Sequence, residues 1–464
     1  MGLRKALVPA ALLLLYLIGV VHWLWFFNRG DLSFSTHDWP KEHSYYTVLQ
    51  EAMASGRVPY HFEPPRHGTD RFLGLPETNL SPQVLLLPWM DVGRFVLVNI
   101  VLLYSVGYVG CLLLRRRYHL SLVPFATVYL LFSFNGYITA HLAVGHSMWA
   151  GYFLLPFFSL YLLEWVEERA SAVPALKLAL VLFAMMLQGS FHLVIWCWVF
   201  LLFFLVFNPA LWRGGLLVFG FSGWLSVFRL VPAAVTFGHD RQRGFWAGYP
   251  TLADMLDGFV RIRAIDFPAP ESLGWWEFDT YVGVLGLAAL LYFGVVLRVS
   301  GDPCLARYRY EALDAPLLIL FFLSLSYFYT VVNYLRIPLL NAEIISSRFL
   351  IIPVLLLTVV AAIRMQVLLE RTRRTAALHV LIVGGLLLAF SEMMTHSDVW
   401  KVTRIEASLA GESASTAAII DRTDGVYTAS VRVSAVASAV AVVVWLYVFF
   451  RARLAGNRRP KNQS

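Results

Sequence analysis

A chain of 464 residues that is 59% hydrophobic, 15% aromatic and only 14% charged carries too little polar surface for a water-soluble globule, in which about a quarter of residues are charged. Its formal net charge of +8 does not point to nucleic acid, because the basic residues sit in short clusters between apolar segments, as at Arg115, Arg116 and Arg117. Cys111 and Cys197 fall inside apolar runs and Cys304 in a short basic loop, which excludes a disulfide framework or a cysteine zinc site.

Apolar windows of bilayer length recur from end to end. The first, 6–27, follows Arg4 and Lys5 and lacks a small-x-small cleavage site, so it reads as a retained helix rather than a signal peptide. Further windows fall near 94–114, 121–139, 148–164, 174–190, 191–207 and 215–235, then 281–298, 315–334, 349–366, 376–391 and 431–450. Only Gln188, Gly189, Ser190 and His192 divide the pair at 174–207. The expected fold is an all-α polytopic membrane protein, a single domain of about twelve transmembrane helices with both termini on one side.

Orientation follows from Lys and Arg. With the N-terminus cytoplasmic, the short inner segments hold Arg115–Arg117, Arg169, Lys177, Arg213, Arg298, Arg307, Arg309, Arg364, Arg371, Arg373, Arg374 and the tail from Arg451 to Lys461. The outer loops are longer and carry fewer basic residues, so the expected topology is N-in and C-in. Three long stretches then face outside: 28–93, 236–280 and 392–430. His37, His43, His61, His67, His141, His146, His192, His239 and His396 lie on the same side. An active site is expected to open there, because loops held by a rigid scaffold carry function.

In the first loop, Tyr45, Val48, Leu49, Ala52 and Met53 recur at helical spacing, predicting a short surface helix. Ser44 is the expected N-cap, after an extended piece ended by Pro40, and Gly56 suits the C-terminal cap. The prolines at 59, 64, 65, 76 and 82, with Gly68 and Gly74, predict a shaped, irregular return. Asp38 precedes this helix. An acid partly desolvated at the mouth of a lipid-lined cavity gains proton affinity and suits general-base work. On chemistry alone Asp38 reads first as a turn acid, and Asp31, Glu42, Asp70 and Glu77 compete with it.

The order of Thr36-His37-Asp38-Trp39, Gly56-Arg57-Val58-Pro59-Tyr60 and Asn79-Leu80-Ser81-Pro82 resembles the GT-C superfamily of integral membrane glycosyltransferases, most nearly its YfhO-like branch. His141-Leu142-Ala143-Val144-Gly145-His146, Leu155-Pro156, Tyr281-Val282-Gly283 and Ser347-Arg348-Phe349 continue the likeness. The resemblance implies an inverting transfer of sugar from a polyprenyl-phosphate donor to a glycan, lipid or protein acceptor. The reaction would take place on the extracytoplasmic side of the cell (inner) membrane, with Asp38 as general base. It draws donor-phosphate contacts from Arg348, Arg336, His141, His146, Arg241 and Arg243, and acceptor or sugar contacts from His37, Trp39, Glu42 and Tyr60. The superfamily's loop acid is often one of a pair. Here a single acid is flanked by His37 and Trp39, which favours a lone base; a divalent metal (Mg2+ or Mn2+) stays open as a cofactor.

Arg348, at the start of an apolar helix beside Ser346 and Ser347, can fork onto phosphate or simply snorkel to the interface. His141 and His146 stand five apart, which predicts a bend between spans, and His37, His43, His61 and His67 lack ligand spacing, so no metal site is assigned. Trp275 and Trp276 read as an interfacial belt before a span. Within the spans the ionisable residues to watch are His22, Arg229 and His379. The rival reading is a multi-pass transporter or a lipid-linked glycan flippase or polymerase.

Overall fold

The structure, a computed structural model, describes residues 2–64, 68–169, 171–238, 247–269, 273–300, 302–335, 343–372, 375–408 and 414–457. Helix dominates, because hydrocarbon cannot satisfy backbone N–H and C=O groups and a helix closes them internally. α1 (Gly2–Phe26) leads to the short α2 (Trp39–Ser55) and then to α3 (Val92–Arg117), whose Asp91 cap accepts from the backbone N–H of Arg94. α4 (Leu122–Ser133) and α5 (Gly136–Ala143) break at Asn135, whose side chain caps α5. α6 (Leu155–Glu167), α7 (Val173–Leu187) and α8 (Phe191–Phe207) follow, then α9 (Trp212–Leu225), α10 (Val227–Phe237) and α11 (Leu252–Val260). α12 (Gly283–Ala289) passes through a π-helical turn, Leu290–Val296, into α13 (Leu297–Val299). α14 (Asp314–Leu323), α15 (Ser326–Leu335), α16 (Ile351–Arg371), α17 (Ala376–Val399), α18 (Val402–Ser408) and α19 (Gly425–Asn457) complete the order.

Among the described residues, seven helical stretches are long and apolar enough to cross a membrane: Leu7–Phe26, Val92–Arg117, Leu122–Ala143, Ser147–Glu167, Ser346–Arg371, Ala376–Ser408 and Gly425–Ala455. Phe191–Phe207 and Pro209–Leu225, bent by 115°, make an eighth if taken as one span. The chain is therefore an all-α polytopic membrane protein. The windows expected near 174–190, 191–207, 215–235, 281–298 and 315–334 fall on shorter or broken helices. Pro209 stops α8, Ser226 divides α9 from α10, and Ser324–Leu325 divides α14 from α15. Ala376–Ser408 runs well past the expected end at 391, because His396 and Trp400 anchor it by bonding Asp279.

α16 is the hub. In its spanning stretch 89% of the residues are buried, against 17% for α1, 11% for Ala376–Ser408 and 22% for α19. It packs against α4, α6, α8 and α14. Its buried Arg364 meets no carboxylate. The guanidinium instead donates to the carbonyls of Phe293 and Gly294, within the π-helical turn, and of Tyr308 and Arg309.

The polar loops fold onto one another. β1 (His61–Phe62) in the first loop pairs antiparallel with β2 (Ile419–Ile420) in the third, His61 opposite Ile420. Arg57–Asp421, Arg71–Asp424 and Arg422–Asp70 ion pairs, at 2.6, 2.7 and 2.7 Å, close the seam. The second loop threads between two others, with Ala247 bridging Ile345 and Tyr249 bridging Leu325. Arg229, fully buried, donates to the carbonyls of Leu75 and Thr78 and to the Thr78 hydroxyl, tying the first loop's return to α10.

Candidate functional site

The site is built on the first turn of α2. This helix starts at Trp39, five residues before the expected Ser44 cap, because Pro40 sits within its first turn, where a fixed φ and a missing N–H cost nothing. Ser44 lies inside the helix and bonds the Lys41 carbonyl. Gly56 ends α2 at φ 67°. Asp38 occupies the N-cap position but makes no capping bond with its side chain, which leaves the carboxylate free to turn inward.

The α5–α6 connection holds this turn in place. The Asp38 backbone N–H donates to the carbonyl of Val144 at 3.1 Å, and the Trp39 indole to that of Ala143 at 3.0 Å. Gly145, at φ 90°, lets the two backbones touch: a Cβ there would stand 2.5 Å from the Trp39 nitrogen. The same turn folds His146 back onto His141 despite their spacing, so that their Nδ1 atoms lie 2.8 Å apart. His37 is left-handed, at φ 51°, which costs a non-glycine residue about 1–3 kcal/mol. That backbone sets its ring against the edge of Trp276 at 4.3 Å and near His146 at 5.6 Å.

Asp38 then sits among cations and imidazoles. Lys41 Nζ is 3.0 Å from its Oδ2, His146 Nε2 is 3.5 Å from the same oxygen, and His37 Nδ1 is 3.8 Å from Oδ1. Burial opposes its ionisation, but Lys41, His146 and His37 outweigh that and hold the carboxyl below the usual range, the reverse of the gain in proton affinity expected for a desolvated acid. Lys41 also reaches Glu77 at 3.3 Å and Glu42 at 3.7 Å. Burial pushes Glu42 up to about 8, with its carboxyl bonded to Ser147. His146 is driven well below its ordinary value, by burial first.

A second half joins from far along the chain. Arg348 forks onto Glu277 with two N···O distances of 2.7 Å and reaches Glu343 at 3.3 Å. Its guanidinium lies over Trp149, 5.3 Å from the ring centre. Glu343 also accepts from the Trp196 indole at 2.8 Å and meets His192 at 3.0 Å. These contacts hold Glu343 down at about 2 against its burial. Glu277 connects the halves, since donor atoms of His141, His146 and Glu277 all lie within 4.8 Å, as do those of His37, Asp38 and His146. The resulting cluster is mostly buried and has one partly exposed edge, where side-chain exposure is 31% for Asp38, 27% for Lys41 and 26% for His37.

The structure thus brings together Asp38, His37, Glu42, His141, His146 and Arg348. The fork of Arg348 is filled by Glu277, so a phosphate would have to exchange with that carboxylate. Trp39 is a packing residue, buried against Phe27 and Phe34. Tyr60 lies apart, accepting from Arg432 and stacked beneath its guanidinium. Arg241, Arg243 and Arg336, with His67 and His239, lie outside the described residues.

Trp275, expected in an interfacial belt, is buried beneath Arg263, and the partly exposed Trp276 donates to Glu277 at 3.2 Å. Glu77 enters the sequence reading only as a competitor of Asp38, and Lys41, Glu277, Glu343 and His192 receive no role there. Of these only Lys41, three residues from Asp38 at the start of a helix, carried a signal that spacing could have exposed. In comparisons with known proteins, no family model, curated protein or solved structure matches this chain.

Proposed function

We propose that the protein is an inverting membrane glycosyltransferase, moving a sugar from a polyprenyl-phosphate donor to a hydroxyl of a glycan, lipid or protein acceptor. The reading places the cluster on the extracytoplasmic side of a cell (inner) membrane, with N-in, C-in topology and about twelve crossings if the shorter apolar helices also cross. One observation carries it: the partly exposed Asp38 carboxyl, within 4 Å of Lys41, His37 and His146, at the edge of a polar cluster otherwise buried. Of the motifs resembling the GT-C superfamily, those holding His37 and Asp38, His141 and His146, and Arg348 meet in this cluster, whereas Tyr60 lies apart.

In the proposed reaction the acceptor oxygen attacks the anomeric carbon as the bond from that carbon to the donor phosphate oxygen breaks. The hydroxyl proton passes to Asp38, and the electron pair leaves with polyprenyl phosphate. Asp38 orients the attacking hydroxyl. Lys41 is the cation nearest Asp38, and Arg348 would meet the donor phosphate by exchanging it for the Glu277 carboxylate. Trp276, partly exposed beside His37, offers a ring face to a sugar. A divalent cation, where bound, would be held by His37, Asp38 and His146 and would add positive charge at the leaving oxygen.

The test is transfer from radiolabelled polyprenyl-phosphate sugars in membranes, comparing wild type with Asp38→Asn at matched abundance. Loss of transfer in the variant supports the reading. Equal transfer refutes the assigned base, and no transfer of any sugar by wild type shifts the balance to the transporter reading.

A further inference from the structure

We infer that His37, Asp38 and His146 form a Zn2+ site, built from two imidazole nitrogens and the Asp38 carboxylate at the partly exposed edge of the cluster. The inference deepens the proposed site and rests on Asp38 being its centre. Its first support is spacing. His146 Nε2 stands 3.5 Å from Asp38 Oδ2, and His37 Nδ1 stands 3.8 Å from Asp38 Oδ1. Both are long for a hydrogen bond, which prefers about 2.7–3.2 Å. Two donors bound to zinc at about 2.0–2.2 Å in tetrahedral geometry stand roughly 3.4 Å apart. All the donor atoms lie within 4.8 Å of one another.

Orientation is the second support. His146 is engaged through Nδ1 with His141, so its Nε2 is the atom left to face Asp38. His37 is fixed by its left-handed backbone, by Trp276 and by the Val144 backbone, and its Nδ1 is a buried atom with no close hydrogen-bond partner among the described residues. Charge is the third. Leaving aside Glu42, which burial pushes up to about 8, four carboxyl groups, Asp38, Glu77, Glu277 and Glu343, surround two fixed cations, Lys41 and Arg348. Lys41 keeps Glu77 as a partner when Asp38 turns to a metal.

The donor set chooses the ion. Two imidazoles and one carboxylate with an open position are ligands of catalytic zinc, whereas Mg2+ favours oxygen. Partial exposure of Asp38 and His37 gives the ion and a fourth ligand their access.

The experiment uses the purified full chain without a histidine tag, stripped by chelator and titrated with Zn2+ by calorimetry, with bound metal counted by mass spectrometry. One zinc per chain is expected, not displaced by millimolar Mg2+. Asp38→Asn, which preserves side-chain size, and His37→Gln should each weaken binding at least tenfold. His43→Gln, whose ring meets the Ser415 carbonyl, should not. Absence of stoichiometric zinc, or unchanged affinity in both ligand variants, overturns the site. A chain that binds no zinc yet transfers sugar through Asp38 overturns this inference and leaves the transferase reading standing. Stoichiometric zinc that depends on Asp38 and His37, with no transfer of any sugar, upholds the site and counts against the transferase.

Discussion

Replacing Arg348 with leucine removes the cation on which two buried carboxylates depend. Glu277 and Glu343 are 6% and 2% exposed, and Arg348 meets them through N···O contacts of 2.7, 2.7 and 3.3 Å. Breaking a buried ion pair by deleting one partner costs about 3–5 kcal/mol, because the surviving charge stays buried without compensation. His192 and Trp196 still support Glu343, whereas among the described residues Glu277 keeps the Trp276 indole alone as a hydrogen-bond donor to its carboxylate, so Glu277 carries most of the loss. That energy is roughly two to four orders of magnitude in the folding equilibrium. Tryptophan fluorescence during SDS titration in mixed micelles reads it, since Trp149, Trp196 and Trp276 all touch the network. Arg348→Lys keeps the charge but cannot fork, so it should fall between wild type and leucine. Adding Glu277→Leu to Arg348→Leu should recover much of the loss, since an apolar pair can match a buried ionic one. If Arg348→Leu unfolds where wild type does, or if the double variant is no better than the single, the network does not hold the halves together.

Three further outcomes follow from the same geometry. Gly145→Ala should cost about 1–3 kcal/mol and disrupt the Asp38 turn, since its φ is 90° and the added carbon meets the Trp39 backbone nitrogen at 2.5 Å; a melting curve of the solubilised protein unchanged from wild type would contradict this. The Glu42 carboxyl, raised from 4.5 to about 8, binds a proton in the folded chain where the unfolded chain does not, so it contributes stability below pH 4.5 that is lost as pH rises to about 8. The loss is at most about 5 kcal/mol, and Glu42→Gln should flatten that slope; an unaltered pH profile of unfolding would refute the burial argument. A membrane-impermeant maleimide applied to intact cells should label Val58→Cys, at an exposed loop position, and leave the exposed Cys304 untouched until the cells are permeabilised; the reverse pattern would invert the topology.

How much of this is legible in the sequence varies along the chain. α1, α3 and α16 stand out because unbroken apolar runs satisfy length and hydropathy together. α8, α9 and α10 look like full spans in a sliding window, which averages over Pro209 and Ser226 and so passes across the breaks. Asp38 and His146 are recognisable from their motifs. Their encounter is not, since it depends on Gly145 turning one backbone onto another 107 residues away in the chain. Glu277 and Glu343 look like ordinary loop acids until Arg348 folds between them. Trp276 illustrates the same limit: a tryptophan before a span has the composition of an interfacial anchor, and only the packing of His37 against its edge sets it apart.

The most direct measurement is release of polyprenyl phosphate by the purified chain in lipid nanodiscs, followed alongside glycosylation of an added acceptor. Wild type is predicted to release one lipid phosphate for each sugar transferred, with inverted configuration, and Asp38→Asn to release at least a hundredfold less while staying folded. Release at the wild-type rate from Asp38→Asn, or sugar transferred with retained configuration, would contradict the account of Asp38 as the base of an inverting transfer.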